Sequence, residues 1–359
     1  MKRLILLVPA LLLFGCSQEI PPQGGTVTAL NPARDFQVVE GEATVDDIAR
    51  FLAGRPVLHG TQLSEWQRRD GDYHTHALTM DVRWRNAGAR RTVREAQYYY
   101  TTTRNAMGSP STVVYPFGGP DILYATSMFP KASTYVLLGL EKAGSVPDLS
   151  AGNPLPLLSS LASVLEEPIL HGYFITEEMR KAPPVTPILM TSLALMGDRV
   201  ESVSGIDAAG RQGVEIRFRD VHGGGSKRVI YVSADLSNGG FGSFQPWLDR
   251  YAGGAVYFKA ASYLPHDSSF SQIRSWVLNK AGVVLQDDSG IPYKYFDQGT
   301  WNTTLLGTYE RPIPLFAKFR QPELAAAYDS IGGAGPSIPF GSGYHMRPEQ
   351  ANLQVHRRR

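Results

Sequence analysis

The chain has 359 residues, 43% of them hydrophobic and 19% charged, with 35 Lys+Arg against 33 Asp+Glu and one cysteine. That apolar share supports a packed core and excludes wholesale disorder, and the length allows one large domain or two small ones. A lone cysteine excludes intramolecular disulfides, multi-thiolate zinc sites and iron–sulfur ligation, and the near-neutral charge argues against non-specific nucleic-acid binding.

Lys2 and Arg3 form a positive start ahead of the apolar run Leu4 to Phe14, interrupted by Pro9. These eleven apolar-run residues rise about 16 Å as a helix, against a hydrocarbon core of roughly 30 Å. A secretory signal is expected, and a spanning helix is not. Leu13-Phe14-Gly15-Cys16 resembles the lipobox of bacterial lipoproteins, with Phe14 bulkier than the usual occupant. The resemblance implies a signal peptide over residues 1–15, cleavage before Cys16, and a diacylglycerol on the Cys16 sulfur with acylation of its amine. Several acyl chains anchor a protein to a membrane stably. Ser17, where Asp would signal retention, resembles lipoproteins sorted to the outer membrane. Residues 16–40, broken by Pro21-Pro22, Gly24-Gly25 and Pro32, read as a flexible tether. Loss of the first fifteen residues removes Lys2 and Arg3 and leaves 33 basic against 33 acidic residues.

The remainder, 41–359, is expected to be a single α/β body with a helical N-terminal part over about 44–104. Thr44 and Asp47 resemble a capping box for a short helix carrying Ile48, Phe51 and Leu52, ended by Gly54 and Pro56. A longer helix is expected from about Ser64, with Trp66, Tyr73, Ala77, Met80 and Trp84 on one stripe and Asp70-Gly71-Asp72 weakening its first turns. Ala89–Gln97 can continue it. Thr112–Tyr115 and Thr134–Leu140 read as strands, and Leu157–Leu165 and Ile188–Met196 as buried helices. Val200–Ile206, Gly213–Arg219 and Lys227–Val232 suggest an antiparallel meander. A strand at Ala255–Ala260, a helix at about Ser269–Lys280 and a strand at Val283–Gln286 follow. Hairpin and crossover connections together imply a mixed sheet flanked by helices, α/β with α+β as the alternative. The basic end, His356-Arg357-Arg358-Arg359, reads as a frayed solvated tail.

Several motifs fail on their own geometry. His74 and His76 are two apart and cannot share an ion from a helix. His222-Gly223-Gly224-Gly225 resembles the glycine-rich oxyanion segment of some esterases, yet the chain has no Gly-x-Ser-x-Gly elbow. Gly239-Gly240-Phe241-Gly242 lacks the lysine and spacing of a phosphate loop.

Acidic groups after strands carry more. Asp121 follows Val113–Tyr115 through Pro116-Phe117-Gly118-Gly119-Pro120, Asp235 follows Val229–Val232, His266 follows Val256–Lys259, and Asp287-Asp288-Ser289 follow Val283–Gln286. Ligands in open α/β sheets gather beyond the carboxyl ends of strands. Carboxylates there, with one imidazole, suit acid–base hydrolysis or a divalent cation; no other cofactor is expected. The competing reading is that they cap turns and helices, as Asp267-Ser268 should before Phe270–Lys280. Adjacent Asp287 and Asp288 are expected to point to opposite sides, one of them near Asp121 or His266.

Tyr115-Pro116-Phe117-Gly118-Gly119-Pro120-Asp121, Leu285-Gln286-Asp287-Asp288-Ser289-Gly290-Ile291-Pro292 and Phe340-Gly341-Ser342-Gly343-Tyr344 resemble segments of a group of exported bacterial proteins without assigned function. That resemblance runs from about residue 46, implies one co-folded unit in a bacterial envelope, and brings no activity with it. The expectation is an envelope-anchored lipoprotein that binds a glycan, lipid or protein partner and no nucleic acid. The alternative is a hydrolase of an envelope polymer acting through Asp121, Asp235, His266, Asp287 or Asp288.

Overall fold

Strands covered on both faces need continuous apolar runs, and four such runs form the middle of the sheet. They are Thr112–Tyr115 (β1), Thr134–Gly139 (β2), Ala255–Phe258 (β6) and Val283–Gln286 (β7). The computed structural model describes residues 43–86, 88–150, 152–170, 179, 182–221 and 225–359. The expected signal peptide, Cys16, the expected tether and His222 to Gly224 lie outside them.

Arg199–Asp207 (β3), Gln212–Arg219 (β4), Ser226–Ser233 (β5), Trp301–Gly307 (β8) and Asn352–Arg358 (β9) complete the sheet. The order is β3-β4-β5-β2-β1-β6-β7-β9-β8. β5, β2, β1, β6 and β7 run parallel, and antiparallel pairs close both flanks. The protein is therefore α/β with a mixed sheet, as expected, and the meander is its β3–β5 flank.

Alternate residues of the central strands feed two cores. Tyr115, Tyr135, Leu137 and Tyr257 face one layer of helices, while Val114, Val136, Val256 and Val284 face the other. The first layer includes Val45–Leu52 (α1), Gln62–Arg69 (α2), Gly71–Asn86 (α3), Gly88–Met107 (α4), Ile122–Met128 (α5), Leu155–Leu170 (α6) and Val185–Met196 (α7). Asn238–Leu248 (α8) and Ser271–Lys280 (α9) form the second. Pro322–Ser330 (α10) packs Leu324 and Tyr328 into a satellite core with Leu305 and Tyr309.

The Thr44–Asp47 capping box forms in both directions, starting α1 as expected. Buried Asp46 then accepts a hydrogen bond from Val200 N at 2.9 Å, tying α1 to β3. The longer helix is two: it breaks at Asp70, whose Oδ1 accepts from Tyr73 N at 2.7 Å and so caps α3. The stripe survives the break, with Tyr73, Met80 and Trp84 buried. His76 spends its ring on Leu52 O at 2.9 Å.

The C-terminal expectation is corrected. Residues 352–358 are an interior strand, not a frayed tail, and His356 is fully buried. Leu353 and Val355 enter the first core, while His356 stacks on Phe296 at 3.6 Å between centroids and meets Thr303 Oγ1 at 2.8 Å.

Candidate functional site at the carboxyl edge

After β1 the chain lays β2 beside it, jumps to the edge strand β3 and returns through β4 to β5 against β2, then crosses back to place β6 and β7 on the other side of β1. β1 and β6 therefore flank the point where the winding reverses, the place where open α/β sheets form ligand crevices. Among the described residues, the loops leaving these two strands carry four of the five non-glycine residues with positive φ: Phe117, Ala260, Ser262 and Tyr263. Such conformations are costly and collect at functional sites.

Asp121 is buried at this edge and does two jobs. Its Oδ1 accepts from Tyr124 N and caps α5, while its Oδ2 accepts from Tyr115 OH at 3.0 Å and pairs with Lys259 Nζ at 2.6 Å. Lys259 is the residue immediately after β6, and its ammonium also sits 3.3 Å from the centre of the Tyr124 ring. Burial lowers the Lys259 pKa, and the Asp121 carboxylate offsets part of that fall.

Asp287 and Asp288 diverge at the end of β7. Asp287 Oδ1 accepts from Ser289 N at 2.8 Å and Ser289 Oγ at 2.5 Å, and its Oδ2 accepts from Ala260 N at 2.9 Å. Burial first, and then the neighbouring Asp288 charge, push the Asp287 pKa up to about 6. Gly343 presses directly on this carboxylate, and a Cβ there would overlap it. Tyr344 OH donates to Ala260 O at 2.9 Å and accepts from Ser262 N at 3.1 Å. Asp287 thus joins three loops that are distant in sequence.

Asp288 faces the other way. Its Oδ2 accepts from Tyr263 OH at 2.6 Å, and its Oδ1 accepts from Asn352 Nδ2 at 3.3 Å and lies 3.4 Å from His345 Nε2. Burial alone would lower the His345 pKa, but Asp288 outweighs it and raises the imidazole above its ordinary value. His266 stands edge-on to Tyr263 and Phe319, and its Nε2 is buried without a hydrogen-bond partner. Desolvation lowers its pKa to about 4, against a partial offset from the Asp288 backbone.

The structure thus brings Asp121, His266, Asp287 and Asp288 to one edge, joined through Lys259 and Tyr263. Asp235 does not join them. It is exposed beyond β5, with β2 and β1 intervening before β6, and both its oxygens bind Ser237 in the turn into α8. Asp267 accepts from Ser269 N and caps the turn before α9, as the sequence suggested. Among the described residues no group of three or more His, Cys, Asp and Glu is placed to hold a metal ion. The oxygens of Asp121, Asp287 and Asp288 point instead at protein donors.

Partly buried rings stand above the buried acids. Phe319 stacks on Tyr263 at 5.1 Å and 2°, and Phe316 packs on Tyr263 at 4.8 Å and on Tyr344 at 4.9 Å. Leu315 and Met346, 47% and 50% exposed, extend the same apolar surface.

Lys259 was missed in the sequence, although a lysine directly after the all-apolar run Ala255–Phe258 is itself a signal: a charge at the end of a buried strand needs a partner. Tyr344 stands in the Phe340–Tyr344 segment quoted above, but neither it nor Tyr263 carries a charge that demands a partner. No known protein family, curated protein or solved structure matches the chain. Among the described residues no helix is long and apolar enough to cross a membrane.

Proposed function

We propose that the carboxyl edge is a rigid platform that binds an envelope glycan, on a protein held to the membrane by lipid at Cys16. One observation carries the reading: the partly exposed rings of Phe316, Phe319 and Tyr344 rest on an acid network whose oxygens are already taken by internal donors. Aromatic faces offer sugar rings an apolar surface at little entropic cost, and a pre-organised support reduces the cost of binding further. Carboxylates committed to Ala260, Ser289, Tyr263 and Asn352 are better suited to holding loops than to transferring protons.

A second reading has one specific observation behind it. Asp287 has a pKa near 6, the range in which an enzyme's general acid operates. Hydrolysis of an envelope polymer would then use Asp287, with Lys259 and Asp121 beside it.

Titration with soluble cell-wall oligosaccharides, with product analysis on the same samples, separates the two. The platform predicts saturable binding that Phe319→Ala and Tyr344→Ala weaken, with the sugar recovered intact. Cleavage that Asp287→Asn abolishes would favour the hydrolase, and neither binding nor cleavage would overturn both. The anchor is tested separately: Cys16→Ser should release the protein from the membrane fraction or leave the precursor uncleaved.

A further inference from the structure

The opposite edge of the sheet holds a charged cavity that has no part in the platform. Its volume is about 600 Å³, within the range of small-molecule sites. It opens between α3, α4 and the amino ends of β2 and β5.

Charge is unbalanced there. Among the described residues five cations, Arg55, Arg85, Arg94, Lys131 and Lys227, line the cavity with three carboxylates. Asp81 is shared by Arg55, at 3.2 Å, and Arg85. Asp220 Oδ2 takes Lys227 Nζ at 2.7 Å, and Asp198 Oδ1 accepts from Val221 N at 3.1 Å. Arg94 and Lys131 are exposed and make no ion pair with a described residue. Two guanidinium groups competing for one carboxylate, with two further cations that no described carboxylate pairs, leave the cavity short of negative charge among the described residues. Trp84, Met196 and Phe218 supply an apolar wall beside it.

We infer that this cavity binds a small amphipathic anion, a phosphate or carboxylate head on an apolar body. The planar guanidinium fork matches either oxyanion through paired hydrogen bonds, and the apolar wall takes the body. Inorganic phosphate would meet the cations and leave the wall unused; a neutral ring would do the reverse.

Calorimetric titration of the full chain with phenyl phosphate, benzoate, inorganic phosphate and phenol, at low and high salt, tests this. Phenyl phosphate or benzoate should bind saturably at one site, at least about tenfold more tightly than inorganic phosphate or phenol, and more weakly in high salt. The tighter of the two identifies the head group. Arg94→Ala/Lys131→Ala should weaken that binding by about tenfold or more, since charge-assisted contacts are lost. Both side chains are exposed, so the variant should keep the parent melting temperature. Arg311→Ala, an exposed arginine outside the cavity, should change nothing. Absence of saturable binding by either organic anion, equal binding of phenol, or unchanged affinity in the double variant would overturn the inference.

Discussion

Lys259 Nζ and Asp121 Oδ2 meet 2.6 Å apart where the sheet reverses its winding, with each side chain only 3% exposed. Removing one member of a buried pair strands the other's charge, which costs more than the pair contributes. Lys259→Met should therefore destabilise the protein by about 3–5 kcal/mol in urea denaturation. Adding Asp121→Asn should recover more than half of that loss, because the stranded charge is gone while the cap to Tyr124 can persist. A double variant no more stable than the single would mean that the lysine acts through packing alone.

Asp287 should give a pH signature. Its folded pKa near 6 lies above the ordinary 3.8, so the folded state holds this proton more tightly than the unfolded chain does. The resulting stability is complete below about pH 4 and is lost as pH rises to about 6. Asp287→Asn removes that titration while costing a fixed amount, because an amide cannot accept from both Ala260 N and Ser289 N. Between pH 4 and 6 the variant should gain on the parent by up to about 3 kcal/mol. Melting curves that stay parallel across this range would refute it.

His356 should act with the opposite sign. Full burial lowers its pKa to about 3, below the ordinary 6.5. Its contribution is complete above about pH 6.5 and is lost as pH falls towards 3, by up to about 5 kcal/mol. His356→Gln should flatten the acid limb of a stability-against-pH curve, at some fixed loss of stacking on Phe296. An acid limb unchanged in the variant would assign acid unfolding elsewhere.

Gly343 and Gly332 make a matched pair. Both have positive φ, +59 and +88, but a Cβ at Gly343 would overlap Asp287 whereas one at Gly332 meets nothing. Gly332→Ala should lose about 1–2 kcal/mol, the backbone cost alone. Gly343→Ala should lose clearly more and should also weaken glycan binding, by displacing Tyr344 from Ala260 and Ser262. Equal losses in thermal denaturation would remove the role of Gly343 as the floor beneath Asp287.

Strand and helix periodicities were readable because the central strands are short apolar runs and α1 has a complete capping box. The acidic edge was readable in part: Asp121, Asp287 and Asp288 each follow an apolar run, and the chain reversal at β1 brings their loops together. Asp235 follows an equally good run, but β5 lies beyond β2, and nothing local announces a strand's place in the sheet. β9 was hidden by its composition. Asn352, Gln354 and His356 imitate a solvated tail, and only Thr303, Phe296, Asp288 and Gln286 on neighbouring segments explain why they are buried. The α8 run Asn238–Leu248 was hidden likewise, because three glycines at its start disguise a helix that Phe241, Phe244 and Leu248 hold against the sheet.

The position of β9 between β7 and β8 also sets an order on folding. β8 is synthesised earlier yet has no neighbour in the sheet until residues 352–358 exist to join it to β7. Until then β7 presents an open edge, of the kind that invites pairing with other chains. Asn352, which donates to Asp288, arrives with the same strand. A chain halted before β9 would combine an open edge with an acidic cluster lacking a donor, so shortening it from this end should convert a folded protein into one prone to aggregate or be degraded, well before any outer surface is lost.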